Sequence, residues 1–85
     1  MLIMAGTIKV DPHGDTPSYV QLADALRELI RAGEYGPREP IPSLSQLVGE
    51  TGLAVNTVRK AIDVLVAEGR VYRVPGRGTF VSPER

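Results

Sequence analysis

Two helical patterns flank one short break between Ser43 and Gly69, and this constrains the fold more than any other feature. Ser43 and Gln46 form an S-x-x-Q capping box, in which each side chain satisfies a backbone donor that the helix start leaves free. Leu44, Leu47 and Val48 supply one apolar side. Glu50-Thr51-Gly52 stops the pattern after about two turns, Gly52 being suited to a left-handed residue just past a helix end. Leu53–Val55 lead into a longer helix. Its apolar positions, Val58, Ala61, Ile62, Leu65 and Val66, have the i, i+3, i+4, i+7, i+8 spacing of a face turned to a core, and Gly69 closes it. A short helix, a Gly-containing turn and a longer helix form the helix-turn-helix arrangement.

The flanking segments complete a domain around that pair. Thr7–Val10, closed by Asp11-Pro12, predicts a short strand. Thr16 is placed to cap a helix that starts near Pro17. Leu22, Ala23, Leu26, Leu29 and Ile30 form its apolar stripe, and Gly33 ends it. Tyr35–Pro42 contains Gly36, Pro37, Pro40 and Pro42 and predicts an irregular connector. Beyond Gly69, Val71–Val74 and Thr79–Val81 read as two strands joined at Pro75-Gly76-Arg77-Gly78. The fold class expected is mostly α with a small β-hairpin, an α+β winged helix-turn-helix. It has three helices, a C-terminal wing and a short N-terminal strand. Residues 1–6 are expected to form an N-terminal arm, 7–81 the domain and 82–85 a tail.

Composition narrows the chemistry. The 85 residues contain no cysteine and one histidine, His13, which leaves no thiolate set and no zinc site. No apolar run approaches the roughly 20 residues of a membrane span, and Met1–Ala5 lacks the basic start and the length of a signal peptide. The expected location is cytoplasmic and nucleoid-associated, with no membrane partner. Formal net charge is zero, but it is unevenly spread: residues 1–52 carry −3 and residues 53–85 carry +3. Such polarity points weakly to a polyanion.

With the long stripe facing inward, Val55, Asn56, Arg59, Lys60 and Asp63 face outward. Arginine suits a bidentate contact with guanine, asparagine one with adenine, and a valine methyl can touch a thymine methyl. Asn56 and Thr57 can also reach phosphate, as can the helix start itself. Arg73 and Arg77 lie on the hairpin, Arg77 between two glycines where it can enter a narrow minor groove. Each feature has an ordinary structural explanation. Arg59 and Lys60 suit a solvated helix face, and Asp63 is placed to pair with Arg59. Ser43 suits a cap, Gly76 and Gly78 a turn, and Tyr19, Tyr35 and Tyr72 packing. No cluster supports catalysis, and no cofactor or metal is expected.

Taken together, these residues resemble the DNA-binding domain of the GntR family of bacterial regulators, from Ile8 to Val81. The resemblance rests on Thr7–Pro12, Pro17–Ala23, Leu26-Arg27, Gly33-Glu34-Tyr35, Ile41-Pro42-Ser43, Asn56–Ala61, Glu68-Gly69 and Gly76–Val81. It is nearest to the YtrA and HutC branches. It implies double-stranded DNA as partner and Ser43, Ser45, Val55, Asn56, Thr57, Arg59, Lys60, Arg73, Arg77, Gly78 and Thr79 as contacts. Two departures stand out. Leu44-Ser45 replaces the family's Glu-Arg, and Ala54-Val55 replaces its Ser-Arg, removing a helix cap and two basic contacts. Family members usually continue into an effector-binding and dimerisation domain, whereas this sequence stops at Arg85. The expectation is therefore a stand-alone, sequence-specific transcriptional regulator, a repressor, with no small-molecule ligand. It would be a weak homodimer or a dimer formed on DNA. The alternative is a winged-helix protein-interaction module.

Overall fold

The capping box at Ser43 forms as the spacing requires. The Ser43 hydroxyl accepts from the Gln46 backbone N–H at 3.1 Å, and the Ser43 N–H donates to Gln46 Oε1 at 2.9 Å. The computed structural model describes residues 8–83. In chain order these form α1 (Ser18–Arg31), α2 (Leu44–Thr51), α3 (Val55–Ala67), β1 (Val71–Val74) and β2 (Gly78–Val81). Three helices and an antiparallel hairpin make the expected winged helix-turn-helix.

Both long helices end in the same way. Gly33 and Gly69 adopt left-handed backbone, φ 88° and 77°. Glu34 and Arg70 then donate back to Leu29 and Leu65, which satisfies carbonyls the helix end would leave open. Gly52 ends α2 at φ 73° and lets α3 begin only three residues later. Leu22, Leu26, Leu47, Val58, Leu65 and Val71 are fully buried, so each helix and the wing contribute to one core. Leu29, Ile30 and Val66 pack against that core half-buried.

Four local expectations change. Ile8–Val10 form no strand; Ile8 is instead inserted into the core. The segment gains burial of that side chain rather than edge pairing, and the second edge of β2 is taken by the connector. Thr7 and the expected 1–6 arm lie outside the described residues. Thr16 does not cap α1. The N-cap is Pro17, which has no side-chain donor or acceptor, and its carbonyl accepts from Val20 and Gln21. The loop before α1 is held by Gln21, whose amide accepts from the Asp11 N–H and donates to the Asp11 and Thr16 carbonyls.

The connector is more ordered than its prolines suggest. Arg38 and Ile41 donate to the carbonyls of Val81 and Thr79, and Val81 donates to Glu39, so the segment runs along the second edge of β2. The returning strand also starts one residue early, at Gly78, which pairs with Val74. Ser82, the first residue of the expected tail, still donates to the Arg70 carbonyl.

Candidate nucleic-acid interface

Helical periodicity dictates what α3 shows to solvent. Val58, Ala61, Ile62 and Leu65 are buried, so Asn56, Arg59, Lys60 and Asp63 form an exposed stripe and Thr57 lies at its margin. Val55, at the start of the helix, is the one large hydrophobic residue left exposed among the described residues, at 43%. An isolated exposed apolar side chain beside polar neighbours is the arrangement a methyl contact requires. Ala54 takes the N-cap position without a side-chain bond, and while its carbonyl accepts from Thr57 and Val58, the Val55 and Asn56 amides stay open to an acceptor from outside.

One contact within the helix and two neighbouring elements frame the stripe. Within α3, Arg59 Nη1 donates to Asn56 Oδ1 at 2.7 Å. Asp63 pairs with Arg73 of β1 rather than with Arg59, and this ion pair fastens the wing beside the outer face of α3. From α1, the Tyr19 ring lies under the Lys60 ammonium, 4.2 Å from Nζ to the ring centre, an attraction that orients the charge without neutralising it. Tyr19 was expected only to pack. That role required knowing that the start of α1 lies against α3.

The remaining residues named from the sequence fall on two adjoining elements. Ser43 and Ser45 are both exposed at the start of α2, their hydroxyls 3.4 Å apart. Ser43 already serves its cap. In the wing, Arg73 and Thr79 face each other across the hairpin, and Arg77 is exposed at the tip between Gly76 and Gly78, which have φ 76° and 123°. Asn56, Thr57, Arg59 and Lys60 thus share one helix with Val55, and Arg73 joins them through Asp63. Arg73 is the one named cation with a carboxylate partner.

Ion pairing sorts the cations. Among the described residues, Arg27, Arg31, Arg70 and Arg73 have carboxylate partners, whereas Lys9, Arg38, Arg59, Lys60 and Arg77 have none. Apart from Lys9, which precedes α1, these unpaired cations lie on α3, the wing tip and the connector beside the wing. Paired cations lie elsewhere, most visibly where Arg27 of α1 grips Glu68 at the far end of α3 through 2.8 and 3.0 Å bonds. That contact, with help from Arg70, holds the Glu68 carboxyl below its usual range. A groove of about 490 Å³ opens at the same end, between Ile30, Tyr35, Glu68, Arg70 and Pro83. Its Glu68 and Arg70 neutralise each other at 3.0 Å, so it offers no free charge to an ionic ligand.

A helix-turn-helix with an exposed polar stripe on its second helix and a cationic wing tip defines the winged-helix class that reads nucleic acid. The family described as bacterial regulatory proteins, gntR family, matches residues 18–81, and the chain belongs to it. It is 39% identical over 75 residues to the HTH-type transcriptional repressor NagR of Bacillus subtilis, covering 88% of this chain and 31% of that protein. The chain thus spans about a third of that curated relative's length. The structure of YtrA from Sulfolobus acidocaldarius, a GntR-family transcription factor, superposes with a TM-score of 0.83 at 39% identity, covering 93% of this chain and 83% of that one. The AraR DNA-binding domain, solved in complex with operator ORE1, superposes with a TM-score of 0.77 at 37% identity, covering 79% and 82%.

Proposed function

We propose that this chain binds double-stranded DNA sequence-specifically and regulates transcription as a repressor, with α3 in the major groove and the wing tip in the adjacent minor groove. One observation carries the reading. The outward stripe of α3 presents Asn56, Arg59 and Lys60 without a carboxylate partner among the described residues, and the wing that bears Arg77 is bridged to it by the exposed Arg73–Asp63 pair. The AraR domain solved in complex with an operator has the same fold, which supports duplex DNA as the partner.

Within that reading, Arg59 and Asn56 read base edges and Val55 meets a thymine methyl. Thr57, Ser43, Ser45, Lys60, Thr79 and the open amides of α3 hold phosphates, while Arg77 enters the minor groove beside Gly78. Arg73 positions the wing and presents its remaining donors to the backbone. The protein works in the cytoplasm, on the nucleoid, as a regulator rather than an enzyme. A protein-docking role fits the surface less well, because a docking face calls for a broad apolar patch. Val55 is the lone large apolar residue exposed among the described residues.

Selection of bound sequences from a random duplex pool tests the reading. A convergent motif supports it, and recovery of the input pool refutes sequence-specific binding. Affinity on one recovered site should fall linearly with the logarithm of salt concentration.

A further inference from the structure

Arg38 occupies a backbone conformation that suits glycine. Its φ is +67°, the single positive value at a non-glycine among the described residues. The Glu39 N–H bonds the Gly36 carbonyl at 3.0 Å, which closes Gly36-Pro37-Arg38-Glu39 into a turn with the type II pattern. Such turns take Pro second and demand a left-handed residue third, where any side chain is strained. The side chain does not offset that strain by local pairing. The Glu39 carboxylate turns away to accept from the Gly36 N–H at 2.6 Å, and Arg38 has no ion-pair partner among the described residues.

Its surroundings suggest what the side chain is for. The Arg38 backbone is bonded to the root of β2 at Val81, while Arg77 stands at the tip of the same hairpin. Both arginines line one cleft of about 230 Å³ together with Tyr72, Val74 and Phe80. Tyr72 and Phe80, which line it, stack at 5.9 Å between ring centres. Two arginines on one open cleft, neither with a carboxylate partner among the described residues, make an anion site that runs from the wing's root toward its tip.

We propose that Arg38 is a further phosphate contact, which extends the DNA footprint from the wing tip along the wing's outer face. The inference rests on the DNA-binding reading above. A duplex that meets Arg77 carries its sugar-phosphate strand beside the tip, and Arg38 is the next cation along that cleft. The contact is to backbone, so it adds affinity without sequence preference.

The test measures binding of the full chain to mixed-sequence duplex DNA across a salt series, with thermal melts in parallel. Arg38→Gly should hold or raise the melting temperature, because glycine accepts the turn, while affinity falls severalfold and the salt slope drops by about 0.9 units, the value for one lost phosphate contact. Arg38→Lys and Arg38→Gln share the strained backbone and differ in charge; the lysine variant should keep the slope and the glutamine variant should lose it. Equal slopes for those two, or unchanged binding by Arg38→Gly, overturn the proposal. Arg59→Ala and Arg77→Ala serve as companions. If they weaken binding while the Arg38 variants do not, only this contact fails; a wild-type chain that binds no duplex overturns both readings.

Discussion

Arg59 lies one turn into α3, its guanidinium held by Asn56 and paired with no acid among the described residues. Arg59→Ala is expected to cost about 1–3 kcal/mol in specific binding and to relax preference at one base position, as read by repeating the sequence selection. Arg77→Ala should act differently. It should weaken binding to every duplex and lower the salt slope by about one unit. Its melting temperature should hold, since an exposed tip residue buries little. A sharp fall in melting temperature with DNA binding intact would make Arg77 structural. The outward placement of Arg59 and Asn56 was legible in the sequence because helical period alone decides which residues oppose Val58 and Ile62. Arg38 and Tyr19 were not, since their placement depends on the connector meeting β2 and on α1 meeting α3. Those contacts leave no local pattern.

At the scale of elements, α3 begins without a side-chain cap. Ala54 already has cap geometry, φ −64° and ψ 150°, so a hydroxyl there reaches the open Asn56 amide with no backbone change. Ala54→Ser should stabilise the domain by about 1 kcal/mol, which a thermal melt would read as a rise of roughly 4–8 °C. Absence of any rise would mean that this amide is already satisfied. Helix extents were readable because their stops are chemical: Gly33, Gly52 and Gly69 each take the left-handed conformation the ends require. Over Ile8–Val10 the expected strand does not form. Alternation and β-branching describe a segment able to pair, but here Ile8 is buried in the core instead. The connector takes the second edge of β2, though its prolines argued for irregularity.

Across the whole molecule, the Arg27–Glu68–Arg70 cluster ties α1 to the end of α3 and the root of the wing. Glu68 is held below its ordinary value of 4.5, first by its hydrogen bonds to Arg27 and then by Arg70. A carboxyl lowered on folding stabilises the fold above its unfolded value and loses that contribution as pH falls through the folded one. The melting temperature of Glu68→Gln should therefore lie below wild type at neutral pH, with the gap closing as pH drops below 4.5. A gap independent of pH would assign the loss to packing. Assembly belongs to this scale too. The described surface carries no broad apolar face, and a durable interface should clear about 1,000 Å². The 85-residue chain is accordingly expected to be a monomer or weak dimer in dilute solution and to pair on adjacent half-sites. Binding should be steeper than hyperbolic on a palindrome and simple on a half-site; a tight dimer at nanomolar concentration without DNA would refute this.

The pairing of the connector with β2 changes where the chain can be cut or lengthened. A Gly- and Pro-rich stretch such as Tyr35–Pro42 is where an engineer would first splice a tag or a protease site. Here that choice would strip three backbone bonds from the edge of the wing and displace Arg38 with them. The better address is Pro12–Asp15, whose flanking residues Asp11 and Thr16 are both bonded to the Gln21 side chain. A loop whose ends are already held together absorbs added length at little entropic cost. Hydrogen exchange should report the same contrast, with slow amides at Arg38, Ile41 and Val81 and fast ones at Asp15 and Thr16.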